Sequence, residues 1–455
     1  GNGFSFLARV EAEHSLRVAL QGLFAEDHRP VGRRGSFRLV VDRLYEAKEG
    51  EVSSGFEFSG EVLRRALRNI YSKNFRPMTD IEINLFNEIC DRINEAARKG
   101  LDESGTVDPD DDFRTAILRN NEVFVAFKVH RMQNDMAKLL LDSNGNLKPF
   151  EQWRKEVMPI ASHQVGQWLR TEYNTAVLRA HQAADWQQFE REKDVLPNLR
   201  WMPSTSVNPG KDHMVFWGTV RPIDDPFWNE HRPGDRWNCK CDLSSTDDPV
   251  TEIPDFTRKD NPHPGLDNNP GKDGKLFSDT HPYIANAYPG AKKAVERLMG
   301  KLDAVREAEE SIRGIIEQIE TGYTQGISVI IGNLSEDVRQ FLLKKGIELQ
   351  TDEVYMTDKQ IQHALRTVKQ NAGKSVTAEQ LVAFPSLMGK CEVYWDKQKR
   401  NIQFITRQGN EVQKFVVELN YRTKIWGVKK TVNAFITAGI IEERNLGMQN
   451  IIKIK

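Results

Sequence analysis

The sequence predicts a multidomain protein: a mainly α-helical body followed by a small α+β domain with an antiparallel sheet. Three observations predict it. At 455 residues the chain exceeds what one hydrophobic core organises. Its first two thirds repeat apolar residues at helical spacing, and its last third switches to alternation between turns. Boundaries follow at 1–55 (role unassigned), 56–290 (helical body with an irregular arm), 291–327 (connector helix) and 328–455 (α+β domain).

Composition narrows the class. The chain is 39% hydrophobic and 28% charged, as in globular proteins, and no apolar run is long enough for a membrane span. The first residues lack a basic region followed by an apolar run, so no signal peptide is expected. Four scattered cysteines do not make a disulfide framework and favour an intracellular origin. The net charge of −1 hides an asymmetry. Residues 331–455 hold 20 Lys and Arg against 13 Asp and Glu, net +7, leaving −8 for the remainder. A basic tail suits a polyanionic partner or simply a solvated surface.

Taken in order, Arg29–Arg38 is a basic, turn-rich piece, and Leu39–Ala47 suits a short strand or helix. Val62–Tyr71 carries a helical apolar stripe. Thr79 is the expected N-cap of a second helix ending at Gly100, with Cys90 a core thiol on its apolar face. The acidic loop Leu101–Asp112 leads into a third helix, Phe113–Leu141. Asp142–Asn146 echoes a calcium loop but lacks its Glu, and reads as a turn. A helical run over Phe150–Phe189 places Trp153, Trp168 and Trp186 in the core, with Glu172 and Arg179 expected to pair. Thr246–Gly290 is rich in Pro, Gly, Asn and Asp and is read as an arm lying on the helices. Ala291–Gly322 is a heptad-like helix broken at Glu309, read as a connector. In the tail, Thr357/Gln360 and Thr377/Gln380 are capping boxes. Strands follow at Cys391–Asp396, Asn401–Arg407, Val412–Asn420 and near Thr431–Thr437.

The chain is organised around Leu169–Leu243, where an amphipathic helix precedes a loop dense in Trp, His, Asp and Cys. Thr171-Glu172-Tyr173, Asp212-His213 with Gly218, Asp225-Pro226-Phe227-Trp228 and Asn238-Cys239-Lys240-Cys241 appear there in order. This combination resembles the Mu F-like family of phage head-morphogenesis (minor head) proteins. That family usually carries Arg before its His, whereas this chain reads Asn208-Pro209-Gly210-Lys211. The resemblance implies a phage or prophage protein made in the bacterial cytoplasm and placed in the head. Its partners would be portal and other head proteins, and it would be able to leave with the DNA into the target cell.

Two constellations bear chemistry. His213, His231, Cys239 and Cys241, beside Asp212, offer zinc ligand types, although one residue between thiols is an unusual spacing. A packed loop with no cofactor is the default expectation, and zinc is the alternative. Asp224 and Asp225 read as turn caps. In the tail, residues 328–443 resemble the phage-associated barnase/EndoU/colicin/RelE-like nucleases. That resemblance implies metal-independent RNA cleavage. His363 would act as base on a capped helix facing the sheet, Arg407 and Lys414 would hold the phosphate, and Thr437 would supply a hydroxyl. Lys397, Lys399, Arg400, Arg422 and Lys424 would bind the nucleic acid, with RNA as the partner. The alternative is a structural or nucleic-acid-binding minor head protein without catalysis.

Overall fold

A computed structural model describes residues 58–104, 109–206, 209–322, 326–366, 373–425 and 427–454. Arg29–Arg38 and Leu39–Ala47 lie outside them. The chain forms two compact units that part between Met299 and Gly300. Among the described residues no helix is long and apolar enough to cross a membrane.

The first unit is built from helices α1 (Gly60–Tyr71), α2 (Ile83–Glu103), α3 (Asp111–Ala137), α4 (Phe150–His163) and α5 (Leu169–Glu192). Side chains close their N-termini. Ser59 accepts from the Val62 N–H and Asp110 from the Phe113 N–H, each satisfying an orphan donor. For α2 the cap is Glu82 rather than Thr79, because the Glu82 carboxylate reaches the Leu85 N–H at 2.7 Å. The helix also runs past Gly100 instead of stopping there. A Cβ at Gly100 would sit 2.1 Å from the Val177 carbonyl oxygen, so this glycine allows α2 and α5 to cross closely. A π-helical turn, Gln164–Trp168, joins α4 to α5. Trp153, Trp168 and Trp186 are buried, as is Cys90.

A three-stranded antiparallel sheet follows α5, in the order β2 (Val220–Pro222), β1 (Asn198–Met202), β3 (Asp242–Thr246). The Pro/Gly-rich segment then lies on the helices. Phe277 stacks on Phe124 of α3 at 4.0 Å, and Gly271 packs so tightly on Trp186 that a Cβ would approach its Cβ to 2.3 Å.

Helix α6 (Ala291–Glu320) carries the chain into the second unit, whose core takes in its Ile312, Ile315 and Ile316. That unit holds β4 (Ser328–Asn333), α7 (Glu336–Lys344), β5 (Glu353–Thr357), α8 (Asp358–Ala364) and α9 (Ala378–Val382). It continues through β6 (Glu392–Asp396), β7 (Asn401–Gln408), β8 (Glu411–Ile425), β9 (Val428–Ile441) and β10 (Ile451–Lys453). Both capping boxes form, at Thr357/Gln360 and Thr377/Gln380. The sheet corrects the antiparallel expectation. It is a mixed seven-stranded sheet ordered β10-β6-β7-β8-β9-β5-β4, with β5 and β9 parallel. Strand alternation in a sequence carries no direction of pairing, so this contact between distant strands was not visible in the pattern.

Register assigns the two faces. One carries Val393, Phe404, Phe415 and Phe435 and is covered by Ile361 of α8, Leu381 of α9 and Phe384, which stacks on Phe415 at 4.2 Å. The other carries Tyr394, Ile405 and Val412, packed with Ile441, Leu446 and Ile451.

Candidate functional site

One face of α5 positions the centre of the first unit. Glu172, Thr175, Arg179 and Gln182 recur at helical spacing and are all buried, so each polar group needs a partner. Glu172 does not pair with Arg179. Its carboxylate lies 2.8 Å from the Lys128 ammonium of α3, both fully buried, and accepts from Tyr283 Oη at 3.0 Å. Burial lowers the Lys128 pKa, and Glu172 works against that shift.

Arg179 instead spends its guanidinium on the arm and the loop before the cysteines. It donates to the carbonyl oxygens of Leu276, Gly234, Leu266 and Asn268 and to Asn268 Oδ1, at 2.7–3.1 Å. A fork of donors matches such converging carbonyls, which an ammonium does not.

The same helix face sets the Asn238–Cys241 turn. Thr175 Oγ1 accepts from the Asn238 N–H at 3.2 Å, and Gln182 Nε2 donates to the Cys241 carbonyl at 3.0 Å. Asn238 is left-handed (φ +57), a conformation Asn tolerates, at the start of the turn that carries the two thiols. The Cys241 N–H donates to Cys239 Sγ at 3.3 Å. His213 arrives from a one-turn helix after Gly210, edge-on to Trp201. Its Nδ1 lies 3.2 Å from Cys239 Sγ and its Nε2 2.6 Å from Asp235 Oδ1. Asp235 also accepts from the Arg232 N–H and from Arg236.

Charge is concentrated here. Burial opposes protonation of His213, but the Asp235 carboxylate outweighs it and pushes the imidazole up to about 9. Burial raises Asp235 less than His213 and Arg236 lower it. The hydrogen bond with Cys239, aided by His213, lowers the Cys241 thiol, while burial pushes Cys239 up.

Of the metal candidates, His213, Cys239 and Cys241 come together, with donor atoms all within 4.8 Å of one another. His231 does not join them. It is packed among Phe216, Phe227 and Phe256, and burial lowers its pKa. Asp235, which the sequence reading passed over, occupies the position behind His213. The Asp212 side chain lies outside the described part. Asp225 is a turn residue as expected, accepting from the Phe227 N–H and pairing with Arg221. Asp142 likewise closes its turn by accepting from the Asn144 and Asn146 N–H groups.

In the tail, the residues expected to share a phosphate are divided by the sheet. Helix α8 packs on the Phe404–Phe415 face, so His363 does not meet the other three. It is exposed and lies beside Arg366, with 3.2 Å between Nε2 and the guanidinium. Arg407, Lys414 and Thr437 belong to the opposite face by register. There Arg407 is occupied by Glu392 at 3.0 Å and Glu443 at 2.7 Å. Lys414 is half-buried, its pKa lowered by burial and then by Lys399, and lines a cavity of about 260 Å³ with Asp396, Gln403 and Asn450.

The basic residues fare differently. Lys397, Lys399 and Arg400 are exposed on the β6–β7 turn. Asn401 pairs with Glu418, so the extension of β8 and β9 beyond that point leaves from the same sheet end. It carries exposed Arg422 and Lys424, with Lys424 directly opposite Lys429. Register thus gathers cations that are distant in sequence.

No curated protein and no solved structure matches the chain. Residues 144–244 match the family model described as Phage Mu protein F like protein, a span containing α5, β1, β2, the start of β3, His213, Asp235 and both thiols. The likeness to phage Mu protein F-like proteins is therefore confined to this segment, which supplies Glu172, Arg179 and the His213–Asp235–Cys239–Cys241 cluster, while Lys128 and the arm that complete the buried polar centre lie outside it.

Proposed function

We propose that the protein is a phage or prophage minor head protein that acts in head morphogenesis with portal and other head proteins. Its basic tail, on this reading, binds nucleic acid. The Mu F-like segment carries the first part. The character of residues inside the matched segment agrees with it: Glu172, Thr175, Arg179 and Asp235 are turned inward to lock helix, loop and arm together, as a scaffold module requires. Deletion of the gene from its phage or prophage is expected to give defective heads, and mass spectrometry of purified heads should find the chain. Normal infectious particles lacking it would sink this reading.

For the tail, the cations gathered at one sheet end favour binding, while cleavage has less support. A base on one face of a sheet does not reach a phosphate held on the other. The full-length chain should retard RNA or DNA in a gel without shortening it, with retention falling steeply as salt rises. Cleavage by the wild type, abolished in His363→Ala, would restore the ribonuclease reading and with it a toxic cargo delivered into the target cell.

A further inference from the structure

We propose that His213, Cys239 and Cys241 bind one zinc ion, through the imidazole Nδ1 and two thiolates, with Asp235 holding the ring from its other nitrogen. This goes beyond the head-protein reading, and its test does not depend on it.

Four observations lead there. The first is distance. Zinc bonds of about 2.0–2.3 Å in a tetrahedron place neighbouring donor atoms about 3.5 Å apart. Here Nδ1 and Cys239 Sγ are already 3.2 Å apart, and the whole trio lies within 4.8 Å. Second, the imidazole is aimed. Its Nε2 is engaged by a fully buried carboxylate at 2.6 Å, which directs Nδ1 to the sulfurs. A carboxylate behind a ligating histidine is the usual outer partner of a zinc site.

Third, the close thiol spacing is explained by the backbone. The left-handed Asn238 is tied to Thr175 and the Cys241 carbonyl to Gln182, which fixes the turn that carries both sulfurs. Fourth, the surroundings favour negative sulfur. Arg179 and Arg232 are fully buried beside the cluster, Arg179 donating to the Gly234 carbonyl and the Arg232 N–H to Asp235. None of the side-chain nitrogens of Arg232 has a hydrogen-bond partner among the described residues. Buried guanidiniums favour the thiolate over the thiol, and the thiolate is the form that ligates zinc. His231 takes no part. Three protein donors leave the fourth position to a solvent oxygen.

The test is metal analysis of the full-length chain, purified without an affinity tag that binds metal, loaded with zinc and dialysed. About one zinc per chain is expected, as for a single tetrahedral site. Cys239→Ser, Cys241→Ser and His213→Ala should each lose it, while His231→Phe retains it. Asp235→Asn should keep the metal with affinity lower by about 10–100-fold. Should the cysteine variants fail to fold, the wild type loaded with cobalt decides: two thiolates give an intense sulfur-to-cobalt charge-transfer band. Wild-type protein that holds no zinc and shows no such band overturns the proposal. So does zinc bound equally by all three ligand variants, or a Cys239–Cys241 disulfide in freshly purified protein.

Discussion

Around α5 the interior of the first unit is full of charge. Lys128, Glu172, Arg179, Arg232 and Asp235 are all essentially inaccessible. The tail's core, by contrast, is built from Phe384, Phe404, Phe415, Phe435 and aliphatic neighbours, and its cations stand outside. The difference teaches where each unit keeps its specificity. A core of paired charges accepts one arrangement, because every displaced partner leaves an ion in a medium that does not solvate it. An apolar core tolerates small changes of shape and leaves the surface free to vary.

The sharpest way to break this contrast is Glu172→Ala. It strands the Lys128 ammonium and should destabilise the first unit by about 3–5 kcal/mol. Replacing both partners, as Lys128→Met with Glu172→Leu, should recover much of that in denaturant titrations; equal losses would mean the charges are not the cause. Arg179→Lys keeps the charge but drops the fork, and should cost about 2–3 kcal/mol. Limited proteolysis should then cut the Leu266–Leu276 arm first. In the tail, Ile402→Val is expected to cost only about 1 kcal/mol.

A pH dependence belongs to the tail's rim. Partial burial works against the Glu392 charge, but Lys453, Arg407 and Tyr394 hold its carboxyl down to about 2. A depressed carboxylate stabilises above its ordinary pKa and loses that contribution as it is protonated. The wild type should therefore exceed Glu392→Gln in urea midpoint near neutrality, the gap closing as pH falls from about 4.5 through about 2. Smallest of all, Arg422→Glu with Lys424→Glu should move stability by about 0.5 kcal/mol or less while weakening nucleic-acid retention. A large loss of stability there would make those cations structural.

What could be read without coordinates was local. Both tail capping boxes, the buried tryptophans and the Asp142 and Asp225 turns follow from contacts a few residues long. The failures were long-range. Glu172 finds Lys128 across 44 positions, and Arg179 reaches carbonyls 55–97 positions away, where a spacing of seven on one helix had suggested a pair. His231 has the right chemistry for a ligand, but aromatic neighbours from three segments claim it. Asp235 lay in an ordinary Pro-Gly-Asp turn, and only its 2.6 Å approach to His213 marks it out. In the tail, alternation revealed β6 to β9 but missed β4, β5 and β10, and it did not show which face α8 would cover.

The Arg179 clamp and the Lys128–Glu172 pair set a boundary wider than the recognisable family segment. Residues 144–244 contain Glu172 and Arg179, yet the ammonium lies upstream at Lys128, and the phenol and most of the carbonyls lie downstream, as far as Tyr283. On a ribosome, α5 must wait for about forty further residues after Cys241 before Arg179 and Glu172 meet the last of their hydrogen-bond partners. A fragment cut to the family limits would emerge with bare ions in its middle, and would be expected to aggregate rather than assemble.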